Sequence, residues 1–349
     1  MKVVEVAGRR IGEGHSCFII AEAGVNHNGD VELAKRLVDA ALEAGADAVK
    51  FQTWLTEKVM TLDAPMAEYQ IHNLGKHQSQ FAMAKELELS YDQFRKIKAH
   101  ADRQGILFLS TPDEEDSADF LEQLGVPLFK IGSGEVTNSP YLQYVARKGR
   151  PVILSTGMSN LGEVEAAVRT MEEVGNRQLV LLHCVSNYPA DPSSCNLRAM
   201  DTLTTAFGYP VGFSDHTNGI EVPVGAVARG ACVIEKHITL DKTLTGPDHR
   251  ASLEPREFAD MVHAIRTIES ALGDGIKRPV PSEIETKKVV QKSIVAARPM
   301  RAGEEIALPD LLLRRTAGGL PPAYLSLVIG RRTKCDLAAN TSINLEMLQ

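Results

Sequence analysis

No run of apolar residues in this chain reaches the ~18 needed to cross a bilayer, and a membrane-spanning role is excluded on that count. The stretch Met1 to Arg10 has neither the apolar core nor the small-residue cleavage site of a secretory signal, so a cytoplasmic protein is expected. No CxxC spacing occurs, and the five cysteines are an odd number. Reduced, buried or site-lining thiols fit that pattern better than a disulfide framework, and Cys232, inside an apolar run, belongs to the core. Basic residues are in deficit: the net charge is -7, whereas a nucleic-acid partner favours a basic face. An anionic small molecule remains open, because a few lysines and a metal suffice to make one cleft positive. Charged residues at 24% and hydrophobic ones at 44% of 349 residues describe an ordinary globular chain with ample core.

What the chain does contain is a repeated unit, a short apolar or β-branched run followed by a longer segment of helical period. Eight such runs are expected as strands: Cys17 to Glu22, Ala48 to Gln52, Ile106 to Ser110, Leu128 to Ile131, Val152 to Ser155, Leu179 to His183, Val211 to Ser214 and Cys232 to His237. In the first intervening helix Leu33, Leu37, Val38, Ala41 and Leu42 share a face, with Asp30 as N-cap and Gly45 as terminator. Strands too apolar to be half-solvated, alternating with helices eight times, predict an α/β fold, a closed parallel (β/α)8 TIM barrel over 1–272. A doubly wound open sheet is the alternative. The connection Thr53 to Leu89 is long, as lids and substrate walls are. Residues 273–289, with Gly273-Asp-Gly-Ile-Lys-Arg-Pro-Val-Pro-Ser282, are expected as a linker. Residues 290–349, with strand-like runs Ser293 to Ala297, Leu311 to Leu313 and Tyr324 to Ile329, predict a small, mostly β domain.

Active sites of such barrels lie at the C-terminal strand ends. Here those ends carry Glu22, Lys50, Gln52, Thr111, Lys130, Glu135, Ser155, His183, Asp215, His216, Glu235 and His237. So many inward polar groups would cost several kcal/mol unless each is partnered, and a functional site accounts for them. Lys50 and Lys130 would aim two ammonium groups into one cleft, where hydroxyls of Thr111, Ser155, Ser186 and Ser214 could join them around a phosphate. Ser133, in Lys130-Ile-Gly-Ser-Gly-Glu135, is a further substrate-binding candidate. His216 and His237 follow adjacent strands and make a candidate metal site, with Asp215 and Glu235 as acceptors that could orient them. A lone strand-end histidine is equally a hydrogen-bonded core group; His27 and His183 are weaker candidates. Glu22 and Glu135 could transfer protons or bind sugar hydroxyls, or pair with Lys50 and Lys130.

Ala21-Glu-Ala-Gly-Val-Asn-His-Asn-Gly29, Lys50-Phe-Gln-Thr53, Lys130-Ile-Gly-Ser-Gly-Glu135, Leu154-Ser-Thr-Gly-Met158, His183-Cys184, Ser214-Asp-His-Thr217, Glu235-Lys-His237 and Gly246-Pro-Asp248 closely resemble the N-acetylneuraminate (sialic acid) synthases. The resemblance extends to the legionaminic and pseudaminic acid synthases, and the tail is similar to their antifreeze-like (SAF, β-clip) domain. It implies a divalent ion, manganese first with magnesium or cobalt as other candidates, on His216 and His237. It also implies condensation of phosphoenolpyruvate with an open-chain N-acetylated amino sugar and loss of phosphate. Residues matching Lys50, Lys130, Thr111, Ser214 and Ser186 would hold the phosphate. Glu22, Asn73, Tyr188, Asp248 and a tail arginine, assigned to Arg315 beside Arg314, would meet the sugar. In the family that arginine crosses a domain-swapped dimer. Thr316 stands here where an Arg-Pro pair is commoner.

The chemistry fits these parts: the lysines hold phosphate while an oxocarbenium-like centre forms and takes up water. Glu135 is the first candidate for that water's proton and the metal's own water the other source. N-acetylmannosamine, giving N-acetylneuraminate, is the expected acceptor, and a diacetamido-trideoxyhexose the alternative. A Schiff-base aldolase using Lys50 or Lys130 is a competing enzyme class. A non-catalytic sugar- or ice-binding protein is a different class, suggested by the tail alone.

Overall fold

The computed structural model describes residues 3–75 and 78–349. A short antiparallel ribbon, β1 (Val4–Val6) and β2 (Arg9–Ile11), precedes eight parallel strands. These are β3 (Phe18–Gly24), β4 (Ala48–Thr53), β5 (Leu107–Pro112), β6 (Phe129–Ile131), β7 (Val152–Ser155), β8 (Leu179–Cys184), β9 (Val211–Asp215) and β10 (Val233–His237). Their lateral order is β5-β4-β3-β10-β9-β8-β7-β6. Since β5 and β6, at the ends of that order, lie alongside each other, the sheet curls into a nearly closed barrel and not an open doubly wound sheet.

The two-residue side-chain period divides the strands into two faces. Phe18, Ile20, Ala48, Leu109, Leu128, Ile153, Val180, Leu182 and Val233 pack together inside the barrel, with Val4, Val6 and Ile11 of the ribbon added to the same cluster. The ribbon, which the sequence pattern did not reveal, therefore covers one end of the barrel core. The alternate residues, among them Ile19, Val49, Phe51, Phe108, Leu181, Phe213 and Ile234, face the helices in a larger outer core. Helix Val31–Glu43 starts as expected: Asp30 accepts from the amides of Glu32 and Leu33, and Gly45 takes the left-handed turn at φ 83°. Helix Pro255–Leu272 buries Phe258, Met261, Val262 and Ile265. The long connection after β4 folds into helices Thr56–Val59, Glu68–Leu74 and Gln80–Leu87.

The chain divides after Gly273 into two compact units. The second has its own core of Ile294, Met300, Ile306, Val328, Leu337 and Ile343, around the antiparallel strands β11 (Lys292–Ala296) and β12 (Leu311–Arg315). Two expectations are corrected here. The stretch 273–289, expected as linker, contains most of an exposed helix, Glu283–Val290. Glutamates in its first turn and lysines in its last complement the helix dipole, so it needs no apolar face to form. Tyr324 to Ile329, expected as a strand, is instead a 3-10 turn running into the helix Leu325–Val328. A run this short has no decisive period, and the preceding Pro321-Pro322 sets helical φ for the turn.

Gly212 in β9 is required by close approach: a Cβ there would meet the Val233 carbonyl and lie 2.7 Å from both Leu182 Cδ2 and Val233 Cβ. Gly212→Ala is therefore expected to destabilise the protein by about 1–3 kcal/mol through overpacking. Urea denaturation checks this; an unchanged midpoint and slope would show that β9 and β10 can part freely.

Candidate functional site

The interior side chains continue up each strand in steps of two, and beyond the apolar layers the same face turns polar. Phe18 and Ile20 lead to Glu22, Ala48 to Lys50 and Gln52, Leu109 to Thr111, Leu128 to Lys130, Ile153 to Ser155, Gly212 to Ser214, and Val233 to Glu235 and His237. Lys50 Nζ lies 2.7 Å from Glu22 Oε2 and donates to Thr111 Oγ1 at 3.1 Å. Glu235 sits between the lysines, 3.8 Å from Lys50 and 3.5 Å from Lys130, and accepts from Ser214 at 3.2 Å. All of these side chains are buried.

Burial opposes the charge on Lys50, but the adjacent Glu22 and Glu235 carboxylates hold its pKa above the ordinary value. Lys130 is lowered, because burial outweighs the attraction of Glu235 and Lys50 repels it. Burial likewise works against the Glu235 carboxylate, yet the two lysines keep it below its usual range. The bland pairing expected for Glu22 with Lys50 is therefore present. Glu135 does not pair with Lys130; it is half-buried and accepts from Asn138 at 2.6 Å.

On the opposite side of the mouth, Ser133 Oγ accepts from the Gly157 amide at 2.9 Å and lies 3.2 Å from Cys184 Sγ. A Cβ on Gly157 would collide with Ser186 Oγ and approach Cys184 and Ser133 within 3.0 Å, so only glycine leaves this cradle of small polar groups open. Ser155 Oγ is buried without a hydrogen-bond partner. A buried, unpaired hydroxyl on the same inward face as two buried lysines is suited to an anionic ligand's oxygen.

The histidines meet as expected, with ring centroids 5.5 Å apart, and Tyr188 packs on both, 4.0 Å from His216 and 5.6 Å from His237. Their orientation is not the expected one. His216 Nδ1 is bound to the Val185 carbonyl at 2.6 Å, which fixes Nδ1 as the donor and leaves Nε2 a bare acceptor. Asp215 does not orient it: on the outward face of β9, Asp215 takes the ammonium of Lys236 and the amide and hydroxyl of Thr217. Glu235 faces the lysines. The first correction follows from the two-residue period, since neighbours in sequence point to opposite faces of the sheet; Glu235 shares the inward face with His237 but is engaged by the two lysines and Ser214.

His237 Nδ1 is buried without a hydrogen bond, 3.9 Å from Asp248. Burial lowers both histidines, His216 to about 4 and His237 well below its usual value, so both are neutral and able to offer a lone pair. No cluster of three or more His, Cys, Asp or Glu side chains suited to a metal occurs among the described residues. An ion held here would thus have two protein ligands. His183 faces outward and binds the Cys195 carbonyl, and His27 Nδ1 accepts from Gly29 in the loop after β3.

Glu135, Tyr188 and Asp248 line a cavity of about 330 Å³ above the strand ends, bordered also by Gln52, Asp113 and the long connection after β4. Asn73 is buried and donates to the Pro247 carbonyl at 2.6 Å, beside Asp248. Arg315 lies on β12 of the second unit, exposed, while neighbouring Arg314 is engaged with Asn340 at 2.6 Å. Asp113 and Gly157 were not singled out from sequence. Gln52, read from sequence as a polar strand end, donates to Glu22 at 2.8 Å.

A barrel whose mouth gathers buried lysines, hydroxyls and two neutral histidines has the layout of an enzyme for a small anionic substrate. The chain belongs to the NeuB family, whose model matches residues 37–277, and residues 291–349 match the SAF domain. It is thus a member of the sialic acid (nonulosonate) synthases. It is 48% identical to the N,N'-diacetyllegionaminic acid synthase of Legionella pneumophila, over 97% of this chain and 96% of that one. It is 37% identical to the N-acetylneuraminate-9-phosphate synthase of Mus musculus, over 98% and 95%. Among solved structures it resembles the N-acetylneuraminic acid synthetase of Leptospira borgpetersenii in complex with citrate. The TM-score is 0.72 at 36% identity, covering 83% of this chain and 97% of that one.

Asp113 supplies a test of the site's electrostatics. Burial, with the nearby Glu135 charge, pushes its pKa up to about 7 against the pull of Lys50. Its folded value thus exceeds the unfolded one, ~3.9. Its contribution to stability is complete below pH ~4 and is lost as the pH rises to 7. Asp113→Asn is expected to gain Tm relative to the parent between pH 5 and pH 8. A difference in Tm that stays constant over that range would place the charge elsewhere.

Proposed function

We propose that this protein condenses phosphoenolpyruvate with the open-chain aldehyde of an N-acetylated amino sugar, releasing phosphate by carbon-oxygen cleavage. The observation that carries this is the buried pair of lysines beside an unpaired serine hydroxyl and a glycine-cleared cradle, next to two neutral histidines. Lys50 and Lys130, with Thr111, Ser133, Ser155, Ser186 and Ser214, bind the phosphate and carboxylate of phosphoenolpyruvate and hold its methylene carbon toward the aldehyde. As the new carbon-carbon bond forms, positive charge develops at the carbon bearing phosphate, and the surrounding carboxylates Glu22 and Glu235 stabilise it. Water adds to that carbon, and Glu135 takes one of its protons and passes it on to the oxygen of the former aldehyde; the tetrahedral product then expels phosphate, which leaves with the remaining hydroxyl proton, to give a 2-keto acid. Glu22, Asn73, Tyr188 and Asp248 orient the sugar. Arg315 of a second copy completes the sugar site in a domain-swapped dimer, which fits its exposed position opposite the engaged Arg314.

His216 and His237 would hold a divalent ion, manganese, magnesium or cobalt, which when bound supplies a Lewis acid for the aldehyde oxygen. His216→Ala is expected to lose Mn2+ binding, followed by titration calorimetry, with the circular dichroism spectrum unchanged. Retained stoichiometric binding would move the metal elsewhere.

Two acceptors come forward. N-acetylmannosamine would give N-acetylneuraminate, in keeping with the Leptospira relative. A diacetamido-trideoxyhexose would give a legionaminic acid, in keeping with relatives 48% and 46% identical. A panel of these sugars, assayed with phosphoenolpyruvate and Mn2+ in water enriched in oxygen-18, tests the proposal. Phosphate is expected to appear only with an acceptor, without label, and to be suppressed by chelation. Labelled phosphate would overturn carbon-oxygen cleavage. Borohydride trapping of a pyruvate adduct, insensitive to chelator, would favour a Schiff-base aldolase; the raised pKa of Lys50 speaks against that role there.

A further inference from the structure

Helix Glu68–Leu74, in the long connection after β4, turns one face toward the mouth of the barrel. Tyr69 and Asn73 are four residues apart and share that face. Asn73 donates to the Pro247 carbonyl in the loop after β10, at 2.6 Å. Tyr69 stacks on Tyr188 in the loop after β8, with ring centroids 5.0 Å apart and planes inclined by 29°. One short helix thus reaches two of the loops that border the cavity above the strand ends, and Tyr69 itself lines that cavity. Burial, and then the charge of Asp248, raise the pKa of the Tyr69 phenol, so it stays protonated.

The Tyr188 ring in turn packs on His216 at 4.0 Å and meets His237 edge-on at 5.6 Å. The backbone of its loop is stapled to the end of β9 on both sides of Tyr188. The Val185 carbonyl accepts from His216 Nδ1, and the Ala190 amide donates to the His216 carbonyl at 2.8 Å. The Tyr188 side chain has no such staple: among the described residues its hydroxyl has no hydrogen-bond partner. Contacts with the rings of Tyr69 and the two histidines orient it, and the hydroxyl is left available to a sugar. An aromatic ring placed by stacking loses that placement when one of its stacked neighbours is removed. We propose that Tyr69 is a positioning residue for the acceptor and the metal: its ring holds that of Tyr188 against His216 and His237, which keeps the Tyr188 hydroxyl at the acceptor and the two imidazoles toward one ion. This rests on the synthase activity proposed above and adds a residue of the long connection to its site.

The test compares the parent with Tyr69→Ala and Tyr69→Phe. Titration calorimetry gives the Kd for Mn2+ without substrates. Steady-state assays at saturating Mn2+ give KM for phosphoenolpyruvate and for whichever of N-acetylmannosamine and a 2,4-diacetamido-2,4,6-trideoxyhexose the parent consumes. Tyr69→Ala is expected to raise the Mn2+ Kd and the acceptor KM about three- to tenfold, the scale of one aromatic pair, and to leave KM for phosphoenolpyruvate unchanged. Tyr69→Phe, which keeps the ring, is expected to recover the parent values. Tyr69 is half-buried on a peripheral helix; where Tm shows the alanine variant to be unstable, Tyr69→Leu, which keeps bulk without a ring face, takes its place with the same loss expected. An unmoved Mn2+ Kd and acceptor KM overturn the proposal. So does a phenylalanine variant as impaired as the alanine one, which would assign the role to the hydroxyl, and so does an equal rise in KM for phosphoenolpyruvate, which would show a general loosening. A parent that consumes phosphoenolpyruvate with neither sugar overturns the synthase activity instead, and the Mn2+ Kd of the variants still decides whether Tyr69 positions the histidines.

Discussion

The two-residue period of eight nearly closed parallel strands is the constraint on which the molecule depends. It places one set of side chains in the helix-facing core and the other inside the barrel. As the interior set rises from apolar to polar, the same geometry that fills the core delivers Glu22, Lys50, Thr111, Lys130, Ser155, Ser214, Glu235 and His237 to one mouth. No loop has to be ordered to bring these groups together. Their positions are as rigid as the strands themselves, which suits a site whose charged groups must not drift.

Gathering four buried charges has a cost that geometry alone does not remove. Desolvation disfavours the charge on each of Glu22, Lys50, Lys130 and Glu235; mutual pairing outweighs it for Lys50 and Glu235, whereas burial wins for Glu22 and Lys130. Glu235 serves both lysines at 3.5 and 3.8 Å, longer than a good charge-assisted hydrogen bond. The lysines are thus incompletely satisfied by protein groups, and an anion entering between them and the unpaired Ser155 gains interactions the protein has left available. Behind the mouth, the outward-facing Asp215 and Lys236 form a fully buried pair that ties β9 to β10, and Lys236 also donates to the Thr217 carbonyl. Each of these two residues immediately precedes a histidine, so the pair holds the strand ends from which His216 and His237 project.

The chain's own pattern went a long way. The eight strand-helix units, the meeting of His216 with His237, the two lysines and most hydroxyl positions were legible because strand length, apolar content and turn residues are local properties. Partnerships were less legible. Asp215 and Glu235 flank the histidines in sequence, yet one points away from the mouth and the other toward the lysines. Counting by twos would have separated them. Asp113 escaped notice because its carboxyl lies beyond the strand, in a turn whose direction the period of β5 does not set. In the tail, Tyr324 to Ile329 became a short helix because so brief an apolar run carries no decisive period.

The order of elements, the barrel class and the residue types at the strand ends are thus properties of the sequence alone, since burial and periodicity leave few alternatives. The pairing of Lys50 with Glu22, the sharing of Glu235 between two lysines and the freeing of His216 Nε2 by a backbone carbonyl are tertiary facts. Each depends on groups from strands or loops distant in the chain meeting at distances of a few ångströms. Such distances are fixed by barrel curvature, register and the path of the long connection, none of which a local pattern contains.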